Sequence, residues 1–219
     1  MLGNLFFAFS PVFCFILFIL LLKNNYLKKK IYAIFTKESS FYYFQIIRII
    51  GFFLMFLIPF LIYKKTLFFN LEDLFNLKIE LFLLVILFVI PISYLNSKKI
   101  SDYPEVKILN WNGFKFIVNI MTWGIYLFAY EYLFRGLLFL DLIPNFNLPL
   151  IVTLNTLIYC VAHFHKSKKE IIACIPFGIL ICLVTLSFGN ILYAFFIHWI
   201  VAINNFIFSN YRYINNNKL

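Results

Sequence analysis

The chain has 219 residues, 63% hydrophobic, 22% aromatic and only 13% charged, with a formal net charge of +10 at pH 7. So few polar side chains cannot cover the apolar surface of a soluble domain of this length, which leaves an integral membrane protein in contact with the lipid bilayer. The positive charge is spread through short segments between apolar runs, without the basic–aromatic interleaving that binds single strands; it excludes nucleic acid as a partner and reads as a membrane-orientation signal.

A helical crossing needs ~20 apolar residues. Seven candidate runs follow in chain order, roughly 3–22, 41–63, 79–97, 117–140, 147–165, 171–188 and 190–208. The expected fold is all-α, a polytopic transmembrane helical bundle of about seven spans forming one domain over 1–219. The opening "MLGNLFFAFSPVF" has no basic stretch and no small-residue cleavage site, and is expected to remain as a span. Between the last two runs, Gly189 can end one helix and Asn190 can cap the next. Cys14, Cys160, Cys174 and Cys182 all lie in apolar runs without metal-ligand spacing and read as small hydrophobes.

Basic residues orient these spans. Four alternate segments hold 14 of the 19 Lys and Arg: Lys23, Lys28, Lys29, Lys30 and Lys37; Lys98, Lys99, Lys107 and Lys115; Lys166, Lys168 and Lys169; Arg212 and Lys218. The other connections carry only Lys64, Lys65 and Lys78, and "DLIPNFNLP" has none. The expectation is a plasma membrane of bacterial type, with the N-terminus outside and the C-terminus in the cytoplasm.

Five ionisable residues within the runs stand out: Arg48, Glu131, Arg135, His163 and His198. Each costs ~2.5–3.5 kcal/mol at a span centre unless it faces protein or water. Glu131 and Arg135, in "YEYLFRG", are four apart and share a helix face, so they can form a structural staple or part of a site. His163 reads alone as an interfacial histidine near Lys166, and His165 as surface. His198 lies mid-span, with Asn205 two turns on and close to the same face, whereas Asn204 is off it; alone, the pair reads as polar glue between helices. Taken together, three spans bring a glutamate with its arginine and two histidines. Glutamate and histidine can activate water, and a second histidine with an asparagine can donate to an oxyanion. Glu, His and His could also hold zinc, although no HExxH spacing is present.

These three stretches resemble the CPBP family, intramembrane proteases similar to the type II CAAX prenyl protease, with bacterial relatives linked to bacteriocin processing and immunity. The family pattern is EExxxR, then FxxxH, then HxxxN or HxxxD, and the resemblance covers roughly 100–208. Here the first motif is Tyr130-Glu131-x-x-x-Arg135, with tyrosine in place of the first glutamate. The second is Tyr159-x-x-x-His163. The third keeps His198 but has Ala202 four residues later, with Asn205 one turn beyond.

The resemblance implies an endopeptidase acting on a membrane-associated peptide or protein. Glu131 and His163 would activate water, His198 and Asn205 would stabilise the oxyanion, and Arg135 would hold Glu131, with Tyr130 beside them. No metal is required by this scheme, though members of the family are often described as metalloproteases. A phenol, with a reference pKa of about 10, is no base at neutral pH. Either Glu131 takes that role or the fold is non-catalytic, as an immunity or scaffold protein. One conflict of depth arises. If the fourth span starts near Ile120, Glu131 lies ~16 Å from its cytoplasmic end, while His163 lies near the cytoplasmic end of its own span.

Overall fold

The computed structural model describes residues 2–35, 38–63, 67–96, 104–164 and 167–217, with side chains omitted for 2–10 and for Asn96. Lys37, Lys64, Lys65, Lys98, Lys99, His165, Lys166 and Lys218 lie outside the described residues. The elements are α1 (Leu2–Leu22), α2 (Asn25–Ile34), α3 (Ser39–Tyr63, with a π turn at Phe53–Leu57), α4 (Leu71–Phe75), α5 (Ile79–Asn96), α6 (Gly113–Glu131), a π-helical continuation of α6 (Tyr132–Leu140), α7 (Leu148–Ala162), α8 (Lys168–Phe188) and α9 (Leu192–Asn217). No strand occurs among the described residues.

The fold is an all-α bundle, and each of the seven apolar runs holds a helix. Four stretches are long and apolar enough to cross a membrane: Ser39–Tyr63, Gly113–Asn145, Lys168–Phe188 and Leu192–Asn217. A fifth is added if the pair Pro11–Leu22 and Asn25–Ile34, bent by 56°, is one span. The apolar helices Ile79–Leu95 and Leu148–Ala162 are shorter than a full crossing.

Short polar side chains set the helix boundaries by satisfying the orphan N–H groups of the first turn. Asn24 Oδ1 accepts from Tyr26 N and Leu27 N at 2.9 and 3.0 Å, which turns the first cationic connection into helix α2 rather than a loop. Ile31 on α2 is buried, with Leu27 packed beside the same core. Asn112 Oδ1 accepts from Lys115 N at 2.8 Å, so α6 starts at Gly113, earlier than the apolar run suggests. Asn147 Oδ1 caps α7 through Leu150 N at 2.9 Å, with Pro149 in the first turn. Gly189, at φ +66°, ends α8, and Asn190 Oδ1 accepts from Leu192 N at 3.1 Å, as expected for that junction.

α6 and its π continuation form the centre of the bundle, in contact with α1, α3, α7, α8 and α9. Every residue from Ala129 to Phe139 is buried. A bracket of polar side chains ties α3 to α6. Arg48 Nη1 donates to Asn119 Oδ1 at 2.7 Å, Gln45 Nε2 donates to the same oxygen at 3.3 Å, and Thr122 bonds Gln45. The Arg48 guanidinium lies 4.4 Å from the Trp123 ring and 3.6 Å from Glu105, which accounts for this span-buried cation. On the opposite face Gly124 lets the indole of Trp199 approach, and Trp199 Nε1 donates to Ile120 O at 3.1 Å. A Cβ at Gly124 would stand 2.8 Å from Trp199 Cε2. Gly124→Ala is therefore expected to destabilise the protein by about 1–3 kcal/mol through overpacking, read as a lower melting temperature in detergent.

Candidate active site

Glu131 ends the regular part of α6, and the chain then widens into π turns. Asp141 N bonds Gly136 O, five residues back, at 3.0 Å. π segments are uncommon and often mark functional sites. This one delivers Arg135 back over Glu131: Arg135 Nε lies 3.4 Å from Glu131 Oε2, and neither side chain has any exposure. The guanidinium rests over the ring of Tyr159, 4.8 Å from its centroid. The ion pair read from the i,i+4 spacing is thus formed, with an aromatic seat supplied by α7.

The other carboxylate oxygen turns to α9. His198 Nδ1 lies 2.6 Å from Glu131 Oε1. A carboxylate only accepts, so Nδ1 carries the proton and Nε2 is the basic nitrogen of the neutral ring. His163 follows the last residue of α7, and its Nδ1 lies 2.9 Å from Tyr159 O. A carbonyl also only accepts, so Nδ1 of His163 carries a proton as well. The geometry joins Glu131 directly to His198.

Tyr130 stands between the two histidines. Its ring stacks on Phe134, with centroids 4.3 Å apart, and its centroid is 6.5 Å from His163 and 5.8 Å from His198. Its hydroxyl has no hydrogen-bond partner among the described residues. Tyr130 is thus an aromatic wedge between the two histidine rings. α7 is only 15 residues long, a rise of ~22 Å, and His163 at its end stands beside Tyr130, with ring centroids 6.5 Å apart.

A cavity of about 1580 Å³ opens onto these groups. Tyr130, Tyr159, His163, His198 and Asn205 line it, as does Ala202, whereas Glu131 and Arg135 lie behind His198 and Tyr159. Phe15 and Phe18 of α1, Leu84 and Phe88 of α5 and Phe177 of α8 form apolar walls, and the exposed Lys23, Lys28 and Lys107 stand at the rim. Asn205 and His198 share this cavity, while Asn204 Nδ2 is turned back to Ile200 O at 2.9 Å. A zinc site would need three or four converging ligands. Among the described residues no three His, Cys, Asp or Glu side chains are grouped to hold a metal ion. Both carboxylate oxygens of Glu131 are engaged, Oε1 by His198 and Oε2 by Arg135.

Counting only ionisable residues missed the neutral polar side chains Gln45, Asn119 and Asn155, all buried within helices. Their signal was simply an amide inside an apolar run.

Residues 109–204 match the family model described as type II CAAX prenyl endopeptidase Rce1-like. No curated protein and no solved structure matches the chain.

Proposed function

From the premise that the chain belongs to the CPBP family, which the match over residues 109–204 supports, we propose that it is an intramembrane endopeptidase cutting a membrane-associated peptide or protein. The observation that carries this reading is the 2.6 Å contact of His198 with Glu131, with His198 and His163 opening on one cavity. A buried carboxylate that holds a histidine in one tautomer stabilises the imidazolium formed when that histidine takes a proton.

In the proposed cycle His198 Nε2 takes a proton from water as the oxygen attacks the peptide carbonyl. Asn205 Nδ2 and a protonated His163 donate to the oxyanion. The proton on His198 then passes to the leaving nitrogen as the C–N bond breaks. Arg135 pairs with Glu131, and Tyr130 spaces the rings. Relative to the roles drawn from the family pattern, His198 becomes the base and His163 an oxyanion donor. The scheme uses no metal. In this reading the cavity rim, with Lys23, Lys28 and Lys107, faces the cytoplasm and the N-terminus lies outside, which the bias of basic residues supports. The family description names an endopeptidase and lends nothing to the immunity reading.

The test uses the purified full-length chain in nanodiscs with two fluorogenic peptides, one with a prenylated C-terminal cysteine motif and one without the lipid. Cleavage by wild type is expected to fall about 10³-fold in His198→Ala and about 10²-fold in His163→Ala. Equal rates in wild type and both variants would sink the assignment.

A further inference from the structure

Asn155 lies on α7, one turn before Tyr159, with its side chain turned towards the π segment. It is 1% exposed. Its Nδ2 donates to Phe134 O at 2.8 Å and to Leu138 O at 3.3 Å. Those carbonyls are four residues apart, one on each side of Arg135's turn. A single amide therefore bridges successive turns of a segment whose backbone has left the α-helical register. On the other side, Cys182 Sγ of α8 donates to Asn155 Oδ1 at 3.3 Å. The thiol and the two carbonyls leave the amide one orientation, nitrogen to the π segment and oxygen to α8.

We infer that Asn155 is a positioning residue for the proposed reaction: it clamps the π turns so that Arg135, and through it Glu131, stays aligned with His198. The kinetic part of this inference rests on the peptidase reading. Its geometric part stands separately. Arg135 reaches Glu131 at 3.4 Å through Nε, and its Nη atoms have no hydrogen-bond partner among the described residues. The pair therefore depends on where the π turn puts the Arg135 backbone, and α7 fixes that from two directions. Asn155 holds the carbonyls, and the Tyr159 ring seats the guanidinium. Losing the amide donors removes both bonds from α7 to the π segment and lets the turn relax towards ordinary α geometry. That relaxation rotates Arg135 away from Glu131.

Three variants test this in the full chain: Asn155→Asp, which keeps the shape and loses the donors; Asn155→Leu, which keeps approximate volume and bonds nothing; and Thr153→Ala, a control at an exposed position of the same helix. Two readouts are taken in nanodiscs. The first is kcat and KM on the better fluorogenic peptide. The second, independent of activity, is the ring N–H resonance of His198, which the Glu131 contact holds far downfield in the NMR spectrum of the ¹⁵N-histidine protein.

In Asn155→Asp, kcat is expected to fall about 10-fold to 100-fold with KM unchanged, the loss typical of a reacting group displaced by ~1 Å. The His198 resonance is expected to move upfield or broaden. Asn155→Leu should behave alike, and Thr153→Ala should match wild type in both readouts. If Asn155→Leu fails to fold, Asn155→Asp alone decides. An unmoved resonance in the folded variant overturns the inference, as does a change confined to KM. If wild type cleaves neither peptide, the peptidase reading falls, and the resonance still decides whether Asn155 positions Glu131.

Discussion

Glu131→Gln is expected to lower kcat about 10³-fold to 10⁴-fold, because an uncharged amide can neither fix the His198 tautomer nor stabilise its imidazolium. The same substitution is expected to cost about 3–5 kcal/mol of stability, since Arg135 would be left as a fully buried cation without its counter-charge. KM should change little, because Glu131 does not line the cavity and so does not touch bound substrate directly. Single-turnover kinetics and thermal melting in nanodiscs check the two effects. A variant with wild-type kcat would remove Glu131 from the chemistry.

Arg135→Met in the Glu131→Gln background is expected to recover most of that stability and none of the activity. A buried ion pair replaced as a unit by groups of similar volume is often neutral, whereas breaking it from one side is costly. Methionine is unbranched and can fill the place over Tyr159 that the guanidinium occupies. The double variant therefore separates the two functions of one carboxylate. If the pair were only a staple between turns of α6, restoring stability would restore whatever activity the single variant lost. A double variant that melts like wild type and stays inactive assigns Glu131 to the reaction. One that melts like wild type and regains cleavage assigns it to the scaffold.

Much of this site was legible in the order of residues. The Glu131–Arg135 pair followed from a spacing of four, and the grouping of three polar stretches followed from the family pattern. The partner of Glu131 was not legible. His198 is 67 positions away, and its approach depends on α9 crossing α6 where Gly124 admits Trp199. The place of His163 also escaped, because the apolar run to 165 hid the end of α7 at Ala162. Tyr130 read as a lost base. In the bundle it is a spacer touching both histidine rings, a role that three converging helices create.

The sequence by itself determined the membrane environment, the helical class, the seven apolar helices and the junction at Gly189 and Asn190. Hydropathy and capping act within a few neighbouring residues, so composition and local order suffice to state them. The tertiary structure alone decided the π turns after Glu131, the contact of Glu131 with His198 and the bonds of Asn155 to the π segment. Each of these depends on atoms from helices far apart in the chain, brought together only when the bundle packs. A buried carboxylate in lipid must find its donors wherever packing supplies them, and nothing in the order of residues says which helix will bring them.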